Sequence, residues 1–216
     1  MNRVLVARGA SNARLQQIVD LCRELAIPVR FEPRETLDRL AGSAAHQGVV
    51  ALGAAVQHVS LEDLLPAAQL IVILDGIEDP HNLGAIIRTA HAAGAAAVVI
   101  PERRAAGLTE TVAKAAAGAL EYLPVARVAN VSRTLEMLKA HGFWTYGLDE
   151  RGEHDYDRAE YALPSAFVLG GEGKGLHEMV KKHCDFLVRI PLAGRISSLN
   201  VSVAAGIVLF DWKRRH

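Results

Sequence analysis

Aromatic residues make up only 5% of this 216-residue chain, against 50% hydrophobic residues in all. A core must therefore be assembled from Val, Ile, Leu and Ala, and there are enough of these for one ordinary domain plus a small one. Cysteine is nearly absent. Cys22 and Cys184 cannot make a disulfide framework and have no metal-ligand spacing, which fits a reducing compartment and sets the expected localisation as cytoplasmic. No uninterrupted apolar run reaches the ~18 residues of a membrane span. Arg3 and Arg8 break the first short apolar run, so neither a membrane span nor a signal peptide is read. An excess of one charge is also missing, with 24 Lys plus Arg balancing 24 Asp plus Glu. That excludes a global basic field of the kind that drives non-specific nucleic-acid binding, and any RNA contact has to come from local patches.

What is present is alternation. A short strand is expected over 4–7, with Ser11 and Asn12 as helix-capping candidates. Leu15, Ile18, Val19, Leu21, Cys22 and Leu25 follow a helical period that Pro28 stops. Strands over 29–31 and 49–52, with a short helix over 35–40 between them, complete a small α/β unit over 1–57. Residues 1–48 hold seven Arg against five acids, a balance of +2, which suits either a solvated helix face or an RNA-facing patch. A linker is expected over 58–69, where Ser60 caps a single helical turn and Pro66 ends it. Beyond it, strands over 70–74, 97–100, 125–128, 143–148, 166–169 and 186–190 alternate with helices. These helices run from Asn82 to Gly94 and over 109–117, 131–140, 176–182 and 199–213. Residues 75–80 read as a loop, and 149–164, polar and without a period, as a surface connection. Alternation at this spacing argues for a parallel sheet covered on both faces, spanning 70–216.

The rest of the chain is organised around residues 167–200. Gly170, Gly171, Gly173 and Gly175 place four glycines in six positions, giving up strand and helix stability where a fold normally wants it. Backbone is therefore expected to approach something closely there, read as a ligand. Familiar nucleotide motifs fail. Gly173-Lys174 is followed by Gly175 rather than Ser or Thr, so there is no P-loop. A dinucleotide pattern starting at Gly171 meets Leu176 where its last glycine belongs and lies late in the chain, which counts against a nicotinamide enzyme. His177-Glu178 does not complete a zinc pattern and His183 is six positions on, so no metal is expected.

Three segments read together carry more. Leu74-Asp75-Gly76 through Asp79-Pro80-His81-Asn82-Leu83-Gly84-Ala85 to Arg88 is the first. Leu169-Gly170-Gly171-Glu172-Gly173 is the second. The third is Ile190-Pro191 through Ser197-Ser198-Leu199-Asn200-Val201-Ser202-Val203-Ala204. In order, they resemble the three motifs of the SPOUT class of RNA methyltransferases, most closely the TrmH-type 2′-O-ribose methyltransferases. The leading segment with His46-Gln47-Gly48 resembles the RNA-binding domain of the branch that methylates a guanosine in the peptidyl-transferase loop of 23S ribosomal RNA. That branch usually carries another strand and helix before the segment that starts here at Val4, so the resemblance implies an RNA-binding half incomplete at its amino end.

The resemblance implies a fold that periodicity could not give: an α/β domain with a parallel sheet whose carboxyl-terminal segment is threaded as a deep trefoil knot, preceded by a small α/β RNA-binding domain. Usual connection rules would have placed the same strands in an ordinary doubly wound sheet. It also implies S-adenosylmethionine as cofactor, held at Leu169, Gly170, Gly171, Ile190, Leu192, Ser198 and Leu199, and a homodimer acting on RNA. The chemistry is attack of a ribose 2′-hydroxyl on a sulfonium methyl, with negative charge growing on oxygen. Arg88, Asn82, Glu172, Ser198 and Asn200 are the matching catalytic set. Arg88 falls where the family's often-assigned base lies, yet a guanidinium is almost never neutral. Stabilising the oxyanion, holding the adjacent phosphate or handing the proton to it are the roles left open. Asn82 is expected either to cap its helix or to orient substrate, and Glu172 to bind substrate or anchor Arg88. Ser197 and Ser202 are expected to be structural. The alternatives are an inactive RNA-binding or ribosome-assembly module of the same fold, or a transfer-RNA methyltransferase. The joint presence of the five residues favours an enzyme.

Overall fold

Residues 3–10, 12–52, 60–173, 175–195 and 198–216 are described by the structure, a computed structural model. Ser11, Lys174, Ser197 and the first part of the expected linker, up to Val59, lie outside the described residues. The chain divides into two units, Met1–Gln57 and His58–His216.

In the first unit β1 (Arg3–Ala7) is the centre of a three-stranded sheet, parallel to β2 (Val29–Glu32) and antiparallel to β3 (Val49–Leu52). Alternation along β1 feeds both faces. Helix α1 (Ala13–Glu24) buries Val19 and Cys22 against Val4 and Val6, and α2 (Arg34–Ala41) buries Leu37 against Leu5 and Ala7. Asn12 caps α1 by accepting from the Leu15 amide at 2.8 Å. His46 is a structural clasp here: its buried Nδ1 accepts from the Gly48 amide at 3.0 Å, so its Nε2–H is left to donate to Asp38 at 2.8 Å.

The second unit opens with a short turn of helix, α3 (Leu61–Leu64). Leu61, Leu65 and Ala68 are buried in its core, so the latter part of the expected linker is packed structure. The strands β4 (Leu70–Asp75), β5 (Ala97–Pro101), β6 (Val125–Val128), β7 (Trp144–Leu148), β8 (His154–Asp155), β9 (Ser165–Gly170) and β10 (Phe186–Arg189) form one parallel sheet. Their order across it is β6-β5-β4-β9-β7-β10-β8. Every residue of β4 is buried, as a central parallel strand requires, which is why its sequence is an unbroken aliphatic run. Leu70, Val72 and Leu74 point to one face, under α4 (Pro80–Ala93), α5 (Glu110–Ala116) and α8 (Val201–Arg215). Ile71 and Ile73 point to the other, under α6 (Val131–Ala140) and α7 (Glu178–His183). Among the described residues no helix is long and apolar enough to cross a membrane.

Two expectations need correction. Helix α4 begins before Asn82: Asp79 caps it, accepting from the His81 amide at 2.9 Å, and Pro80 occupies its first turn, where a missing N–H costs nothing. Asn82 is therefore inside the helix and not its cap. The stretch 149–164 is more than a surface connection, because it contributes the edge strand β8 and buries Ala159 and Tyr161. The Tyr146 hydroxyl, below this stretch, accepts from the Ala162 amide at 2.8 Å and donates to the Glu160 carbonyl at 3.1 Å.

Candidate active site

In an open parallel sheet the loops after the carboxyl ends of the strands make the binding crevice. Here the loops after β7, β9 and β10 do so. The glycines of the β9 loop explain how. A Cβ on Gly170 would lie 2.1 Å from the Gly175 carbonyl carbon, and one on Gly171 would lie 2.2 Å from the Gly76 carbonyl oxygen. The close approach read from the sequence is thus first of all chain against chain, which corrects the reading that a ligand alone demands these glycines. Gly173 and Gly175 serve differently, with φ of +76° and +63° that other residues rarely adopt. The loop closes on itself through the Gly175 amide to the Gly171 carbonyl, 3.0 Å, and is tied to β4 by the Gly171 amide to the Asp75 carbonyl, 2.9 Å. Asp75, itself buried, also accepts from the His177 amide at 2.8 Å and faces His177 Nδ1 at 2.9 Å.

These ties hold open a cavity of about 720 Å³. All seven residues expected to hold a cofactor line it, and so do Glu172 and Asn200. Asn82 stands behind the wall and joins two of its members: its Nδ2 donates to Glu172 Oε1, while its Oδ1 accepts from Asn200 Nδ2 at 3.0 Å. Asn200 is in turn the cap of α8, its Oδ1 accepting from the Ser202 amide at 2.9 Å and the Ser202 hydroxyl at 2.6 Å. Each amide is oriented by its neighbours, so one oxygen of Glu172 is pinned through a chain that reaches back from the end of one motif to the start of another.

Arg88 is not brought together with this set. It is exposed on α4, outside the cavity wall, and among the described residues it makes no ion pair. The expected anchor Glu172 is bonded to Asn82 instead. Conversely, the wall contains Asp149 and Lys181, which sequence reasoning missed. Lys181 Nζ lies 2.7 Å from Asp149 Oδ2, a pairing of residues far apart in the chain with no local spacing to betray it. Among the described residues no group of three or more His, Cys, Asp or Glu is arranged to hold a metal.

A parallel seven-stranded sheet with a ligand-sized crevice at its carboxyl edge is the architecture of an α/β enzyme. Comparison with known proteins goes further. The model of the SpoU rRNA Methylase family matches residues 69–210, and that of RNA 2′-O ribose methyltransferase substrate binding matches residues 1–59. The chain belongs to the SpoU family of RNA methyltransferases. A relative in Bacillus subtilis, named as the TrmH family tRNA/rRNA methyltransferase YacO, is 45% identical over 99% of this chain and 88% of its own length. Among solved structures, the SpoU methyltransferase AviRb of Streptomyces viridochromogenes in complex with AdoMet superposes with a TM-score of 0.83 at 26% identity, covering 99% of this chain and 82% of that one. The AdoMet-bound rRNA methyltransferase of Sinorhizobium meliloti gives 0.80 at 26% identity, covering 99% and 80%.

Proposed function

We propose that this chain transfers a methyl group from S-adenosylmethionine to a ribose 2′-hydroxyl of RNA, and that its target is a guanosine in the peptidyl-transferase loop of 23S ribosomal RNA. The observation that carries the reading is the chain of hydrogen bonds from Glu172 through Asn82 to Asn200, built into the wall of the same cavity that the cofactor residues line. The cavity suits the cofactor. Its volume of about 720 Å³ lies in the range of small-molecule sites. Leu192 and Leu199 stand 39% exposed beside it as apolar surface for an adenine, and the Gly170 and Gly171 turn supplies peptide groups. Leu169, Gly170, Gly171, Ile190, Leu192, Ser198 and Leu199 would hold the group, which supplies an activated methyl on a sulfonium.

The protein's task is then to orient the attacking hydroxyl and manage its proton. Glu172 has one oxygen pinned by Asn82, and the other, without a partner among the described residues, would receive the hydroxyl proton or fix the nucleotide. Asn200 and Ser198 lie on the same wall and orient the ribose. The Arg88 guanidinium suits the RNA phosphate or the developing oxyanion, a role that fits an exposed position awaiting substrate. Residues 1–57 form the RNA substrate-binding domain and 70–216 the methyltransferase domain, a division supported by the separate matches of the two segments. The carboxyl-terminal segment forms a deep trefoil knot. This is supported by β9 lying between β4 and β7 with β10 beyond, and by α8 returning across to α4. A homodimer is supported by Val203 and Phe210, large apolar side chains about half exposed on α8. The free, unbridged cysteines fit a cytoplasmic setting.

Incubation with methyl-labelled S-adenosylmethionine and either a 23S transcript or transfer RNA tests the proposal. Label on a ribose of the 23S transcript is expected. Label on a base would overturn the 2′-hydroxyl assignment, label on transfer RNA alone would overturn the target, and no transfer to any RNA would leave an RNA-binding module.

A further inference from the structure

On the cavity wall the Asp149 side chain is 5% exposed, against 20% for Lys181, 55% for Glu150 and 80% for Glu178. Its Oδ2 receives the Lys181 ammonium at 2.7 Å and its Oδ1 accepts from the Arg151 amide at 2.9 Å. A carboxylate offers about four lone-pair sites, so among the described residues acceptor capacity remains. The Gly175 turn passes above, its Cβ direction 4.0 Å from Asp149 Oδ2, and both residues face the cavity. Burial pushes the Asp149 carboxyl up, but the hydrogen bonds from Lys181 and the Arg151 amide outweigh it and hold the group below the usual carboxylate range. It is an acceptor at neutral pH. A buried ion pair gains little stability over a well-packed apolar pair, and this one stands on the wall of a ligand-sized cavity.

We propose that Asp149 is the hydroxyl acceptor of this cavity, taking the ribose hydroxyls of the cofactor on its free lone pairs, with Lys181 as the positioning residue that holds the carboxylate in place. A ribose fits better than the cofactor's ammonium, because the charge of Asp149 is already balanced by Lys181. A neutralised carboxylate keeps its lone pairs for hydroxyls but has little attraction left for a cation. Glu172, whose partner among the described residues is a neutral amide, is the better carboxylate for a positive group. The inference rests on the S-adenosylmethionine reading above.

Calorimetry with S-adenosylhomocysteine, its 2′-deoxy and 3′-deoxy forms and 5′-methylthioadenosine, which keeps the ribose but lacks the amino-acid moiety, tests it without turnover. Wild type is expected to bind at least one deoxy form about tenfold more weakly than S-adenosylhomocysteine, the scale of one charge-assisted hydrogen bond. Asp149→Asn should weaken S-adenosylhomocysteine and methylthioadenosine by the same factor and abolish the deoxy penalty. Lys181→Met should relax that discrimination and Lys181→Arg retain it. Both deoxy forms binding wild type as well as S-adenosylhomocysteine would overturn the inference, and this comparison needs no variant to fold. A loss in Asp149→Asn confined to S-adenosylhomocysteine would move Asp149 to the ammonium and equally overturn it. If wild type bound none of these ligands, the cofactor reading itself would fall, a result distinct from bound ligands without discrimination.

Discussion

The two sheets of this protein are built to different standards. In the second unit β4 is buried along all six residues and β9 along all but its last, with helices on both faces. In the first unit neither β2 nor β3 has a fully buried residue, and each face rests on a handful of side chains. The difference matches the tasks proposed for them. A cavity whose loops pack backbone on backbone needs a core with stability to spare, whereas a surface that meets RNA needs reach and accepts a thin core.

Loss of close loop packing should give the largest effect. Gly171→Ala puts a methyl 2.2 Å from the Gly76 carbonyl oxygen, and neither backbone can yield cheaply. We expect a loss of about 3 kcal/mol or more and no measurable S-adenosylhomocysteine binding, read by denaturant melts and calorimetry. The thin core of the first unit comes next. Leu37→Ala empties a fully buried site and should cost about 2–5 kcal/mol, lowering RNA affinity while S-adenosylhomocysteine affinity stays within about twofold. Equal loss of both affinities would erase the division of labour between the units.

Arg88→Ala should lower turnover about a hundredfold, the scale of one oxyanion donor, with cofactor affinity within a few fold because Arg88 is not in the cavity wall. Arg88→Lys keeps the charge without the planar fork and should recover only part of the activity. The Asp149–Lys181 pair predicts a smaller, pH-shaped effect. Asp149 is held below its usual value of 3.8, so its contribution is present above that pH and is lost as pH falls through the lowered value. The bond from Asp149 holds Lys181 above its usual 10.5, so its contribution is lost as pH rises through the raised value. Wild type should therefore exceed Asp149→Asn in stability by a constant amount from about pH 5 to about pH 9, with the gap closing towards acid. A gap that widened below about pH 4 would contradict the pairing. Smallest of all, Gly206 on α8 has open space around its Cβ direction within the subunit. Gly206→Ala should stabilise by about 0.5–1 kcal/mol unless a second copy packs there, so a loss in melting temperature would sharpen the case for the dimer.

Strands β4, β5 and β9 were legible because a parallel strand buried on both faces has to be a nearly continuous apolar run, whereas the short edge strand β8 was not. Helix ends were less so. Asn82 looks like a cap, and only Asp79-Pro80 acting one turn earlier frees its side chain for Glu172 and Asn200. The seven residues proposed to hold the cofactor came from motif resemblance and share one cavity wall, and the Gly170–Gly171 turn drew attention for a true reason, close approach, attached to an incomplete cause. Asp149 and Lys181 stayed hidden because their pairing exists only in space, and Asp149 opens a polar stretch with no period. Tyr161 was lost in the same stretch, where period-based reading has nothing to hold.

Mass-spectrometric mapping of 2′-O-methylated nucleotides in ribosomal and transfer RNA, from cells with and without this protein, tests the central claim most directly. The account predicts that one 2′-O-methylguanosine in the peptidyl-transferase loop of 23S ribosomal RNA disappears with the protein and returns when it is restored. Ribosomal and transfer RNA with identical 2′-O-methyl maps in both cells would contradict it.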